Sequence, residues 1–206
     1  MVPRLNMNTK KSQSMNNTHT SNLPYFLANL GIQIDEFEYA KSELPRLVGI
    51  SIGRILGMPF DLDTTFISLS GGVGSSVIKH ITKVMPKASK YPSDKFPVLH
   101  FTNYELIHPR TKEFLYSSGI PILYSSMDNL DRERYKTQLS GFRFLSVPDD
   151  IPEINIWPSG PVYSSNANWI NTVYPIYDWT DAQIWALIIT EDLPFSDEYF
   201  IDRMHG

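Results

Sequence analysis

The chain contains no cysteine in its 206 residues. That absence removes disulfides, thiolate nucleophiles, cysteine-ligated zinc and iron–sulfur clusters together. The five histidines, His19, His80, His100, His108 and His205, fall in neither HxxxH nor HExxH spacing, which argues against a zinc enzyme. No stretch approaches the roughly 20 uninterrupted apolar residues of a membrane span, so no membrane partner is expected. Residues 1–22 are polar and rich in Asn, Ser and Thr, without the apolar centre of a signal peptide. They are expected to be a flexible tail on a soluble, cytoplasmic protein. An excess of positive charge is missing as well. Lys and Arg number 18 against 22 Asp and Glu, a net charge of −4, so no global basic field draws nucleic acid.

What is present is the composition of a globular domain, 42% hydrophobic and 13% aromatic. Its length suits one core, expected over residues 23–206. "LPYFLANLG" (23–31) reads as a short helix ended by Gly31. "IDEFEYAKSELPRLVGISIGRILGM" repeats apolar residues at helical steps, with a break or a new helix expected at Pro45. Then strands and helices alternate: a strand at 64–69, a helix starting at Ser75 or Ser76, a strand at 96–102, and a helix at 108–119. A strand at 120–126, a charged helix at 129–139 and a strand at 140–147 complete the series. Alternation with short links predicts an α/β fold, with a mostly parallel sheet between helical layers and a ligand at the strands' carboxyl ends. Residues 148–172 lack periodicity and read as a long loop on the substrate side. Thr180 with Gln183 forms a capping box, which predicts a helix from Asp181 to about Thr190.

The stretch "FISLSGGVGSSVIKH" (66–80) is a strand, a small-residue turn and a helix start. Glycines after a strand let consecutive backbone N–H groups converge on an anion, and the helix N-terminus adds a favourable dipole. Ser70, Gly71, Gly72, Val73, Gly74, Ser75 and Ser76 are therefore the candidate phosphate cradle, with the three serines as extra donors. The turn has no lysine, so it is not a Walker loop, and its glycines do not match GxGxxG. A tight turn without a ligand is the plainer alternative.

Two stretches together carry a resemblance. "SLSGGVGSSV" resembles the SGGxDS pyrophosphate loop (PP-loop) of the adenine nucleotide alpha-hydrolase superfamily. "YPIYDWTDAQIW" is similar to the proline–acid–tryptophan segment of the phosphoadenosine phosphosulfate (PAPS) reductase-like family, matching at Pro175, Asp178, Trp179, Thr180, Ile184 and Trp185. That family also includes eukaryotic-type FAD synthases. Weaker likenesses lie between: "VLHFTNYEL" resembles the family's second strand and turn, and "LSGFRFLSV" its Gly-x-Arg at Gly141 and Arg143.

The resemblance implies a Rossmann-like three-layer sandwich with a helical N-terminal extension, binding ATP or a PAPS-type adenine nucleotide. It places Thr102, Asn103, Gly141 and Arg143 at the phosphates, with Trp169 and Asp178 on the substrate side. Asp178 is equally readable as orienting the backbone before the capping box. Where the loop's aspartate would help organise Mg²⁺, this chain has Gly74. Glu105 at a strand end is then the available metal ligand. With no cysteine, thiol-dependent sulfonucleotide reduction is not expected of this polypeptide alone. The implied function is adenine-nucleotide binding, with ATP or sulfonucleotide chemistry at the α-phosphate and a place in sulfur metabolism. A non-catalytic nucleotide-binding partner protein and FAD-synthase-like adenylyl transfer are the alternatives. A homodimer or a protein partner is left open.

Overall fold

A computed structural model of the chain describes residues 22–58, 61–89, 98–102, 113, 123–125, 135–143, 154–157, 160–164 and 171–196. Two helices come first, α1 (Leu23–Asn29) and α2 (Ile34–Leu56). Gly31 between them takes a positive φ of 73°, the left-handed conformation a glycine enters without steric cost. Asn22 caps α1 through its side-chain oxygen, 3.4 Å from the Tyr25 N–H.

The helix expected to break at Pro45 runs through it as one 23-residue element. Proline there removes a single N–H, the one that would reach the Lys41 carbonyl one turn back. Both residues lie on the exposed side, where water can take that carbonyl. On the other side Phe37, Ala40, Leu44, Leu47, Ser51 and Ile55 are buried at three- and four-residue steps across the proline, with Ile52 buried beside them. Burial of that continuous stripe holds both halves on one axis.

The sheet has seven strands: β1 (Thr65–Ser68), β2 (Val98–Thr102), β3 (Leu123–Ser125), β4 (Thr137–Leu139), β5 (Ile154–Trp157), β6 (Gly160–Ser164) and β7 (Asn171–Val173). Their spatial order is β3-β2-β1-β4-β7-β6-β5. The first five in that order run parallel, β6 runs against them, and β5 pairs antiparallel with β6 at the edge. β1 lies centrally, and its Thr65, Phe66 and Ile67 are all buried, as a strand covered on both faces requires. The fold is thus α/β, a Rossmann-like sandwich with a mostly parallel sheet and a helical N-terminal extension.

The structure differs from three sequence expectations. The charged helix read over 129–139 cannot extend to its end, because residues 137–139 form β4, and 140–143 are the loop that follows rather than a strand. Alternate burial of Tyr135, Thr137 and Leu139 is a two-residue period masked by the preceding charged run. The aperiodic segment 148–172 contains the β5–β6 hairpin and the start of β7. Pro161 disguised it. That residue faces Ile156 of β5 but lies beyond the residues β6 pairs with β7, so its missing N–H breaks no bond on that side.

Helix α3 (Val73–Ser89) follows β1, and α4 (Asp181–Thr190) follows β7. The expected capping box is present: the Gln183 N–H donates to Thr180 Oγ1 at 3.3 Å, and the Thr180 N–H donates to Gln183 Oε1 at 2.9 Å. α2 and α4 pack along each other, while α3 touches both and lies against β1. Trp179 and Trp185 are fully buried there, and the Trp185 ring meets Phe26 and Phe195 edge-on at 5.4 and 5.2 Å. Among the described residues no helix is long and apolar enough to cross a membrane.

Candidate functional site

The strand order fixes where a ligand can enter. From β1 the chain crosses to β2 and then β3 on one side, while β4 and β7 lie on the other. Loops leaving the carboxyl ends of β1 and β4 therefore diverge, and a crevice opens between them. That crevice is present as an open cleft of about 400 Å³, within the roughly 300–1,000 Å³ of small-molecule sites. Ser68, Ser70, Gly72, Val73, Gly74 and Ser75 form one wall, and Ser140, Gly141, Phe142 and Arg143 the other.

The first wall folds on local bonds. Gly71 has φ 79°, so the turn needs glycine at that position. The Gly72 N–H donates to Ser70 Oγ at 3.3 Å, and Ser75 Oγ donates to the Gly72 carbonyl at 2.8 Å. The Ser76 N–H reaches the same carbonyl at 3.2 Å. That bond starts α3 at Val73, two residues before the earliest start expected from sequence. By helix geometry the amides of Val73, Gly74 and Ser75 then have no intrahelical acceptor. A second segment braces the loop from behind: Ser76 Oγ donates to the Pro194 carbonyl at 2.7 Å, and the Ser196 N–H donates to the Gly71 carbonyl at 3.2 Å.

The two walls touch at glycines. A Cβ on Gly74 would fall inside contact distance of the Gly141 carbonyl oxygen and 3.1 Å from its carbon. A Cβ on Gly141 would in turn stand 2.7 Å from the Ser75 nitrogen, among other backbone atoms. Backbone against backbone leaves no side chain that could move aside. The glycine at 74 is therefore required by packing, whatever chemistry an acid there would offer.

Arg143 supplies the cleft's one cationic side chain among the described lining residues. One terminal nitrogen donates to Asp181 Oδ1 at 2.6 Å and the other to the Trp179 carbonyl at 3.2 Å. Asp181 is the first residue of α4, so the capped helix positions the arginine. Three of the five guanidinium N–H groups remain beyond these two contacts.

Asp178 lies elsewhere. Both its oxygens accept from Arg54 of α2, each at 2.6 Å, and Arg54 also donates to the Pro175 carbonyl at 2.9 Å. The Arg54 guanidinium sits 4.6 Å from the centre of the Tyr177 ring. Burial pushes the Asp178 carboxyl up, but the hydrogen bonds and charge of Arg54 hold it below the usual carboxylate range.

Of the residues singled out from sequence, Ser70, Gly72, Val73, Gly74, Ser75, Gly141 and Arg143 come together in the cleft, and Gly71 and Ser76 brace it. Thr102 ends β2, beside β1. Asn103, Glu105 and Trp169 lie outside the described residues. Among the described residues no cluster of His, Asp or Glu could hold a metal ion. Sequence reading missed Ser68, Ser140, Phe142 and the bracing segment 194–196. A serine and a glycine directly after a strand were the signal for Ser140, obscured because β4 was placed too late.

No family model matches the sequence, and no curated protein matches it. Solved structures do share its fold. The FMN adenylyltransferase of Candida glabrata in a mutant form gives a TM-score of 0.57 at 13% identity, over 80% of this chain and 65% of that one. The same enzyme in complex with ATP gives 0.55 at 14% identity, over 80% and 64%. A PAPS reductase from Candida auris in a phosphate complex gives 0.49 at 12% identity, over 83% and 93%, and adds no weight. The chain spans just under two thirds of the adenylyltransferase. Likeness at this identity shows the fold alone. It agrees with the fold implied by the resemblance of "SLSGGVGSSV" and "YPIYDWTDAQIW".

Proposed function

We propose that this chain binds an adenine nucleotide, with the phosphate chain in the cleft between the loops after β1 and β4. One observation carries the reading: at the sheet's switch point, amides at the start of α3, serine hydroxyls and Arg143 converge on one cleft. No carboxylate lines it among the described residues. Such a surface favours a polyanion, since backbone donors and a guanidinium both stabilise phosphate oxygens. Adenine is chosen as the base because the fold neighbour from Candida glabrata is solved with ATP and because the superfamily resemblance points the same way.

If the chain acts on its nucleotide, the chemistry is transfer or hydrolysis at the α-phosphate of ATP or a PAPS-type sulfonucleotide. The cleft would then contribute by positioning the phosphates and stabilising charge, without a covalent nucleophile. Mg²⁺ would arrive largely on the phosphates, as it commonly does with few protein ligands. Glu105 is the residue proposed to complete its shell, and Thr102 and Asn103 complete the phosphate contacts. Trp169 belongs to the substrate side in this reading.

A second reading, a nucleotide-binding partner protein without turnover, is favoured by one observation. The position of the loop acid is closed to any side chain by Gly141.

Thermal-shift measurement with ATP, AMP, adenylyl sulfate, PAPS and FMN, each with and without Mg²⁺, tests the proposal. A ligand at a hundred times its Kd should add about 2.7 kcal/mol, a rise of about 5–10 °C for a chain of this size. No shift with any adenine nucleotide refutes the reading. Release of pyrophosphate or sulfate from a bound nucleotide decides for catalysis, and a dinucleotide formed from FMN and ATP decides for adenylyl transfer to a flavin.

A further inference from the structure

We infer that Phe142 is the platform on which the planar heterocycle of the bound nucleotide stacks; the inference rests on the nucleotide reading above. Phe142 is 65% exposed, although its side chain gains from leaving water. Single exposed apolar residues are ordinary on protein surfaces. The other large ones among the described residues, Tyr25, Ile34, Tyr39, Ile50 and Leu56, all belong to α1 and α2. Phe142 differs in forming part of the cleft wall.

It is also held in place. The residue before it, Gly141, lies in backbone contact with Gly74, and the residue after it, Arg143, is bonded to Asp181 and the Trp179 carbonyl. Its own N–H donates to Ser140 Oγ at 3.2 Å. The Tyr174 ring meets it edge-to-face, with centroids 6.4 Å apart and planes at 64°. A ring with a fixed backbone and a steadied tilt loses little freedom when a ligand covers it, so more of the contact energy remains as affinity.

The rest of the described wall offers polar donors and the buried Val73, so Phe142 supplies the cleft's large apolar face. A phosphate-binding wall with one aromatic beside its arginine suits a ligand that is charged at one end and flat at the other. Every nucleobase and the flavin ring has such a flat face, and stacking on an aromatic side chain is tolerant of which one it is.

Calorimetric binding of inorganic tripolyphosphate, ATP and FMN to the full chain and to Phe142→Ala tests the inference. The variant should weaken the nucleotide by about tenfold and leave tripolyphosphate unchanged. Phe142→Tyr should restore the nucleotide affinity, because it keeps the ring. A drop confined to ATP identifies the heterocycle as adenine, and one confined to FMN identifies it as flavin. Equal weakening of tripolyphosphate, or none for either nucleotide, overturns the platform while leaving the phosphate cleft standing. Wild-type protein that binds none of the three ligands overturns both.

Discussion

Two arginines hold the segment from Pro175 to Asp181, and they are used differently. Arg54 gives both terminal nitrogens to both oxygens of Asp178, adds the Pro175 carbonyl, and covers the Tyr177 ring. Its charge is matched by a whole carboxylate in the fork-to-fork geometry that suits guanidinium. Arg143 makes one contact to one oxygen of Asp181 and one to a carbonyl, and it faces a cleft. The first pairing is complete within the protein and ties α2 to the turn before α4. The second is incomplete, with donors to spare where an anion can reach them. Residue type alone does not separate a clamp from a binding group. The number of donors left over, and where they face, does.

The largest expected effect comes from the contact that ties the Arg143 loop to the glycine loop. Gly74→Asp should destabilise the fold by about 3 kcal/mol or more, since backbone atoms cannot repack around a new Cβ. Gly74→Ala should cost nearly as much, because the clash begins at Cβ and not at the carboxylate. Urea unfolding of both variants checks this. An aspartate variant as stable as wild type, and active on ATP, would mean that Gly74 marks a vacated acid site. Next in size is Arg143→Ala, which should weaken nucleotide and tripolyphosphate about 30- to 100-fold, the loss of charge-assisted hydrogen bonds worth about 2–3 kcal/mol. Its melting temperature should move little. Equal affinity in calorimetry would remove Arg143 from the site.

Features legible in the sequence were those that short stretches of chain determine. The capping box needed only Thr180 and Gln183, and the glycine loop only the chain from 66 to 80. Gly74 and Gly141 touch across the sheet's switch point, and no local pattern announces that two glycines will meet. For the same reason Arg54 could not be assigned to Asp178, its partner far along the chain. β4 was hidden by its surroundings. The charged run before "YKTQL" imitates a helix face, while the strand is only three residues long. The β5–β6 hairpin was hidden by Pro161, whose exception depends on where β7 stops pairing. Phe142 was read as the spacer of a Gly-x-Arg, and only the cleft gave it a role.

The clamp side of the comparison predicts smaller effects of another kind. Arg54→Ala should lower stability by about 1–2 kcal/mol, discounted because Asp178 is partly in water, and it should leave tripolyphosphate affinity intact. Denaturant midpoints beside calorimetry separate the two arginines, and a shared loss of affinity would merge them. The smallest effect is a pH dependence. Asp178 titrates below its ordinary value in the folded protein because Arg54 outweighs the opposing effect of burial. The unfolded chain, with an ordinary carboxyl near about 3.9, takes up its proton first as the pH falls. Stability from the pair is therefore complete above that value and is lost as the pH drops through it towards the lower folded value. With the carboxylate close to half exposed, the loss should stay below about 1 kcal/mol. Asp178→Asn has no proton to take up there, so the stability gap between it and wild type should narrow from pH 7 to pH 3. A gap that stays constant across that range would show that the Arg54–Asp178 pairing contributes shape to the turn and no charge-dependent stability.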